Sequence, residues 1–442
     1  MNKTHRLIWN SLRQTWTVAH EAASTQGKRS RCGPRLGALA AVLAGAVIAQ
    51  AALAAPPAPN ALPTNGQVVS GQAVIAQAGS TMTIQQASNQ AILNWNTFNI
   101  GANAAVNFIQ PGSNAVALNR VVGTDPSAIY GSLTANGQVF LINPSGVLFG
   151  QGARVDVGGL VASTLNIRNE DFLAGNYRFT RNGTTAGVTN QGDLLGKYIA
   201  LLAPEVRNEG VISARQGTVT LAAGEAVTLA LAGNALIDVH VEKASIDTLV
   251  ANQRLVQADD GTVILSARSA NALLGRVVNT GAIEARGISS DGGTVRLLAS
   301  SSVDHGGSID VGAARVGAGG TAILIADLAN PASRTTVSGS ISAKGGSESG
   351  DGGFIETSAS HLTIADSARV NTSALNGRTG LWLIDPQDFT IAAVGGDITG
   401  GAISGNLLTT DVEVLSSTGA VAGDVAHGGH ITVNDVITRT SH

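Results

Sequence analysis

Cysteine is nearly missing from this chain: Cys32 is the only one in 442 residues. It lies in a segment read below as a removed leader, so the mature protein has no disulfide, thiolate metal site or cysteine nucleophile to work with. Aromatic residues make up only 3% and charged residues 13%. A compact enzyme core usually draws on more Phe, Tyr and Trp. Here the apolar volume comes from Val, Ile, Leu and Ala, within a hydrophobic share of 44%. Low charge and many β-branched residues also exclude a disordered chain. What is abundant is glycine, with 55 residues. Strand formers punctuated by turn formers, over a length that suits two or three compact domains or one elongated array, favour the array.

Charge is unevenly placed. Seven of the 27 Lys/Arg (Lys3, Arg6, Arg13, Lys28, Arg29, Arg31, Arg35) and one of the 30 acids (Glu21) lie in residues 1–54, which leaves 20 basic and 29 acidic residues, a net of −9, in the remainder. Such a surface argues against nucleic acid as a partner, because phosphate neutralisation needs clustered cations. Residues 36–54, LGALAAVLAGAVIAQAALA, follow the basic stretch 28–35 and end in Ala52-Leu53-Ala54, a small-x-small pattern. Basic region, apolar region and small-residue site make a Sec secretory signal, with Ala52 and Ala54 as the cleavage-site residues. The competing reading is a transmembrane anchor, since the run is about long enough to span. Gln50 and the closely following Pro56-Pro57 favour cleavage. The opening MNKTHRLIWNSLRQTWTVAHEA makes the signal oddly long. Through Met1-Asn2-Lys3, Arg6, Ile8-Trp9-Asn10, Trp16, Val18-Ala19 and Glu21 it resembles the extended signal region of Gram-negative type V secretion substrates. That resemblance implies export through the Sec machinery, with the periplasm as an intermediate stop.

After a Pro-rich spacer at residues 55–66, short apolar alternations recur between turns, as in Thr81-Met82-Thr83-Ile84 and Ala105-Val106-Asn107-Phe108-Ile109. Each is too short for a helix, and no stretch beyond residue 60 shows a capped helical period. The chain also repeats itself. Val206-Arg207-Asn208-Glu209-Gly210-Val211-Ile212 recurs as Val277-Val278-Asn279-Thr280-Gly281-Ala282-Ile283, with looser copies at residues 190–194 and 337–344. A second element, Gly217-Thr218-Val219-Thr220-Leu221, returns at Gly261, Gly293 and Gly320. Fixed strands joined by turns of variable length suit an all-β, right-handed parallel β-helix in which each coil is covered only by the next. Asn and Gly suit its corners because they tolerate positive φ. A sandwich or propeller would rely more on antiparallel hairpins. Asn65-Gly66, Asn136-Gly137, Asn182-Gly183 and Asn376-Gly377 leave room for short hairpin insertions.

Residues 88–170 are the most informative. In order they hold Ile92-Leu93-Asn94-Trp95-Asn96-Thr97-Phe98, Leu118-Asn119-Arg120-Val121, Phe140-Leu141-Ile142-Asn143-Pro144-Ser145-Gly146-Val147 and Gly159-Leu160-Val161-Ala162-Ser163. Asn143-Pro144-Ser145-Gly146 has Pro at the second and Gly at the fourth position of a type I turn, a natural coil corner that the Asn143 side chain can cap. The ordered set resembles the secretion domain of two-partner secretion exoproteins of the filamentous-haemagglutinin type, over roughly residues 60–300. The family usually has Asn where Ser145 stands. The resemblance implies recognition by the periplasmic modules of a dedicated outer-membrane transporter. It divides the chain into an extended signal peptide (1–54), the spacer, a secretion domain (67–300) and continuing β-helix repeats (301–442). Residues Asn94, Trp95, Phe98, Asn119, Arg120, Asn143, Pro144, Ser145 and Gly146 then have two readings. Either the unfolded segments 94–100 or 119–142 pair with the transporter by strand addition, or these residues build the fold nucleus.

Signs of catalysis are sparse. The adjacent acid pairs Glu170-Asp171 and Asp259-Asp260 read as solvated turns, since neighbours on a strand face opposite ways. His427 and His430 flank a Gly pair in a loop, and Gly350-Asp351-Gly352-Gly353 lacks the repeated aspartates of a calcium-binding array. No cofactor or metal is expected. Trp382 and Phe389 read as core or coil-end packing, and no polar capping repeat is visible near residue 442, as in a truncated passenger. The expected function is that of an exported adhesin-like exoprotein, not an enzyme, with host or neighbouring-cell surfaces as the partners it would meet. A contact-dependent toxin carrier is the alternative, and a β-helix carbohydrate-active enzyme a more distant one.

Overall fold

A computed structural model describes residues 5–10, 15–20, 56–288, 290–416 and 429–439. Ala52, Ala54 and His427 lie outside the described residues. The chain forms two compact units, Met1–Leu53 and Ala54–His442. In the first, strands His5–Asn10 and Thr15–His20 pair antiparallel.

In the second unit each turn of chain lays one short strand on each of three faces. Ser132–Ala135, Gln138–Ile142 and Val147–Phe149 pair in parallel with Arg154–Asp156, Gly159–Ser163 and Val188–Asn190 of the following turn. Among the described residues the face containing Gln138–Ile142 has 13 strands, the one containing Val147–Phe149 has 9, and the one containing Ser132–Ala135 has 12. These are called the first, second and third faces. The architecture is the expected parallel β-helix. The sequence repeats are in register: Thr218, Thr262, Thr294 and Thr321 are successive partners along the first face. The glycines before them are needed because the coils approach closely there. A Cβ on Gly293 would collide with the carbonyl oxygen of Gly261, and one on Gly320 with that of Gly293.

Two cores result. Inward side chains from all three faces, such as Leu141, Leu160, Leu221, Val256 and Leu324, form a continuous inner core from Leu62 to Ile403. The first face also has an outer core along its first half: Ile92, Leu118, Phe140, Val161 and Ala200 point outward and are buried. Two insertions cover them. One holds helix Asn169–Leu173 and strand Tyr177–Thr180; the other is the hairpin Ala226–Ala232 and Ala235–Glu242, to which Tyr177–Thr180 pairs antiparallel. Burial on both sides explains why Gln138–Ile142 and Gly159–Ser163 are buried throughout, whereas Thr294–Ala299 alternates.

Several expectations need correction. Glu170-Asp171 lies in the first turn of helix Asn169–Leu173, with Asp171 paired to Arg168 at 2.7 Å, and is not a turn between strands. A second helix, Gly400–Asn406, is capped by the Thr399 hydroxyl, which accepts from the Ala402 amide at 3.1 Å. It takes the place of a further strand beside Arg369–Asn371 of the third face, where Asn406 Oδ1 accepts from the Val370 amide. The hairpins exist, but their two-residue turns are Gly79-Ser80 and Gly233-Asn234, not the Asn-Gly pairs. Positive φ at Gly79 (58°) and Gly233 (61°) alone within these turns suits type II′ geometry, which wants Gly first. Residues 56–66, read above as a spacer, lie against the first coil. Leu62 is buried in the inner core and Thr64 bridges Thr97. Antiparallel partners Gln67–Ser70 and Ala73–Ala78 close this end of the first and third faces. Among the described residues no helix is long and apolar enough to cross a membrane.

Candidate functional site

Of the nine candidate residues, Asn94, Trp95, Asn119 and Arg120 lie on strands of the first face, and Asn143, Pro144, Ser145 and Gly146 form a corner. Trp95 and Asn119 point inward from neighbouring strands of the first face and are fully buried. The Trp95 indole N–H donates to Asn119 Oδ1 at 3.0 Å, and Asn119 Nδ2 donates to the carbonyls of Ala117 and Phe140 at 3.2 and 3.3 Å. The Asn119 amide therefore lets a tryptophan sit in an aliphatic core without an orphaned donor. Phe98 meets Trp95 edge-on, at a centroid distance of 5.6 Å. A similar pair recurs ten strands further along the same face, where buried Trp382 donates to Thr357 Oγ1 at 3.1 Å.

Asn94 and Arg120 are register partners on the outer side of the same two strands. Arg120 reaches across to the insertion and donates to Asn166 Oδ1, Asn169 Oδ1 and the Ile167 carbonyl at 3.3, 2.7 and 2.6 Å. It thereby holds the start of helix Asn169–Leu173 to the face. Burial lowers its pKa, against the raising effect of the Glu170 carboxylate. Asn94 Oδ1 is buried without a hydrogen-bond partner among the described residues.

Asn143-Pro144-Ser145-Gly146 forms the corner between the first and second faces. The Gly146 amide donates to the Asn143 carbonyl at 3.0 Å, which closes the turn, and Gly146 has a φ of 120°. Asn143 is fully buried. Its Oδ1 accepts from the Ser145 amide at 2.9 Å, and its Nδ2 donates to the Asp125 carbonyl and Ser127 Oγ, both at 2.9 Å. The side chain thus caps its own turn and ties it to the preceding coil. Ser145 contributes its amide here, so the usual family Asn is not needed for the turn.

Two buried networks were missed by the sequence reading. One is the aromatic group Phe140, Phe172, Tyr177 and Phe179 in the outer core, with Phe140 centroids 5.4 to 6.1 Å from the other three. Beside it the Tyr198 hydroxyl donates to Gln138 Oε1 at 2.6 Å, and burial pushes its pKa well up. The unbroken apolar run Val139-Phe140-Leu141-Ile142 was the available signal. The other is a polar ladder at the corner between the second and third faces. Asn190, Asn208, Asn252 and Asn279 are fully buried, and each Nδ2 donates to the next Oδ1 at 2.8 Å. The last, Asn279, meets His305 Nδ1 at 3.1 Å, and His305 Nε2 meets the Ser340 carbonyl at 3.1 Å. An alignment of His305-Gly306-Gly307 with Asn279-Thr280-Gly281 would have exposed it.

The acidic positions are structural clips. Asp259 pairs with Arg286, and Asp351 accepts from the Arg378 amide at 2.8 Å and its guanidinium at 3.1 Å. These hydrogen bonds, the backbone one foremost, hold the Asp351 pKa below the usual value. Among the described residues no group of three or more His, Cys, Asp or Glu is arranged to hold a metal ion. The region therefore offers a rigid, doubly cored scaffold whose candidate residues are mostly inside it.

The family described as TPS secretion domain matches residues 59–311, and that described as Extended Signal Peptide of Type V secretion system matches residues 1–50. Two heme/hemopexin-binding proteins of Haemophilus influenzae are similar. One is 36% identical over 249 residues, which is 54% of this chain and 27% of that protein. The other is 31% identical over 263 residues, 54% of this chain and 28% of that protein. The chain thus spans little more than a quarter of either relative. Among solved structures, the HMW1 secretion domain from Haemophilus influenzae superposes with a TM-score of 0.67 at 24% identity, covering 84% of this chain and 100% of that one. That likeness is one of fold.

Proposed function

The chain belongs to the TPS secretion domain family, and from that premise we propose that its front end does two jobs in sequence: it directs a large exoprotein to an outer-membrane transporter, and it then nucleates the β-helix outside. With a type V extended signal ahead of it, the protein is a Sec-exported, secreted or surface-displayed product of a Gram-negative bacterium.

The observation that carries the second job is the unequal depth of the two halves. Coils up to the strand Thr218–Ala223 have an inner core, an outer core and an antiparallel closure at the first turn. Later coils have the inner core and neighbour stacking. In a repeat array stability comes from each unit plus its neighbour, so the segment with additional burial is the one able to fold first and offer an edge to the next coil. Asn119 and Asn143 are sealed in this segment, so a transporter can reach their side chains only before folding. We therefore assign Trp95, Phe98, Asn119, Arg120, Asn143, Pro144, Ser145 and Gly146 to the fold nucleus. Asn94, with its unpartnered Oδ1, belongs to the same buried layer.

The finer reading is that the exoprotein works by binding, as an adhesin does, with residues beyond about 311 extending the rod. Its support is the clip role of Asp259 and Asp351 and the names of the two relatives, which describe binding. The test co-expresses the full chain with its transporter and compares Asn119→Ala and Asn143→Ala with the parent. Expected are near-parental amounts outside the cell, but a product digested faster by protease. Loss of secretion with unchanged thermal stability of the refolded chain would sink the nucleus assignment in favour of direct contact.

A further inference from the structure

We propose that the uncovered second half of the first face is a self-association surface, on which a second copy of this chain packs face to face with its coils stacked in the opposite direction. The hairpin Ala226–Ala232 and Ala235–Glu242 covers the outer side as far as Ala222, and the outer core stops there. The strands that follow still present apolar side chains outward. Ile264, Leu298, Ile323, Ile325, Leu381 and Leu383 are all only partly buried. A layer that the chain supplies for itself over the first coils is therefore open over the next ones.

The occupant is indicated by charge. One outward column runs Ile264, Arg296, Ile323, Glu356, Leu383, each the direct register partner of the next. Arg296 is exposed and has no ion-pair partner among the described residues, and the Glu356 carboxylate accepts only a hydroxyl hydrogen bond, from Ser358 at 2.8 Å. A two-fold axis through Ile323, parallel to the strands, reverses the order of coils in the second copy. It sets Arg296 against Glu356, Glu356 against Arg296, Ile264 against Leu383, and Ile323 against itself. The alternative axis, along the stack, would set Arg296 against Arg296 and Glu356 against Glu356. Opposite charges thus select one register and like charges reject the other. Five coils about 4.8 Å apart, each presenting about 17 Å of strand, offer roughly 400 Å² per copy. That is at the small end for specific contacts, so the pair is weak and concentration-dependent, with a dissociation constant on the order of 10 μM.

Sedimentation velocity on the secreted full chain, from about 1 to 100 μM, tests this. The expected result is a monomer–dimer equilibrium that Arg296→Glu or Glu356→Arg each weakens at least about tenfold and that the combined swap restores. A second measurement does not depend on how those variants fold. Ile323→Cys sits on the axis and should cross-link to a dimer under mild oxidant, while Arg334→Cys on the second face should not. A monomer at the top concentration, single swaps that pair like the parent, a double swap that fails to restore, or no cross-link at Ile323→Cys would each overturn the proposal.

Discussion

Acid should unlock the polar ladder at its histidine end. His305 is 1% exposed and accepts a hydrogen bond from Asn279 Nδ2 at Nδ1, which requires the neutral ring with its proton on Nε2, facing the Ser340 carbonyl. Burial lowers its pKa to about 4 from 6.5, with the hydrogen bond to Ser340 opposing the drop. In the unfolded chain this histidine takes up a proton as pH falls through 6.5, whereas the folded chain resists until about 4. The unfolded state therefore binds more protons between these values. The stability that neutral His305 contributes is fully present above 6.5 and is lost progressively down to about 4. At roughly 1.4 kcal/mol for each tenfold change in proton affinity, the loss is about 3 kcal/mol. His305→Asn is the control, because an amide there can accept from Asn279 and carry the ladder one step further without titrating. Urea unfolding of both proteins at several pH values between 4 and 8, followed together with hydrogen exchange in Ser302–His305 and Arg334–Val337, gives the comparison. The parent should lose about 3 kcal/mol relative to the variant across the window, with exchange rising first in these two strands. Parallel pH profiles for the two proteins would refute the assignment of the titration to His305.

Two further perturbations probe the packing directly. Gly293→Ala places a methyl against the Gly261 carbonyl oxygen and should cost roughly 1–3 kcal/mol as coils are pushed apart, read as a lower urea midpoint. The same change at Gly79, which has nothing near its missing Cβ, should cost only the left-handed backbone penalty of about 1–2 kcal/mol. Phe140→Ala removes the centre of the outer aromatic group and should cost about 3–5 kcal/mol. Because Phe140 packs on Phe172, Tyr177 and Phe179, limited proteolysis should then cut within residues 166–185 before the inner coils open.

Much of the architecture was legible because β-helix coils repeat locally. The Gly-Thr elements at Gly217, Gly261, Gly293 and Gly320 became successive stacked partners without any slip, and the Asn-x-Gly elements at Asn208 and Asn279 fell in one column, two coils apart through Asn252. The Asn143 cap was likewise readable, since an Asn-Pro-Ser-Gly turn satisfies its own amides within four residues. Helix Asn169–Leu173 was not, because five residues hold too little period to show, and its place depends on Arg120, which lies 49 residues from Asn169. The hairpin at Gly233-Asn234 escaped for a related reason. Its type II′ geometry needs glycine first, and in a chain with 55 glycines that signal is diluted.

For the candidate residues the division is sharper. Sequence alone singled out Trp95, Asn119, Arg120 and Asn143, yet left open whether they meet a partner or the fold. Their surroundings follow from the side of the strand that Trp95, Asn119 and Arg120 face and from the corner that Asn143 occupies. Trp95, Asn119 and Asn143 are sealed by hydrogen bonds to adjacent coils, and Arg120 pins an insertion. The ladder ending at His305 and the outer aromatic group are decided wholly in three dimensions. Their members are 18 to 44 residues apart along the chain in the ladder and 32 apart from Phe140 to Phe172. Local repetition suffices to specify a coil and its inward side chains, because each coil needs only its neighbour. What covers the outer side of a coil comes from elsewhere in the chain, or from another chain, and no local pattern encodes it.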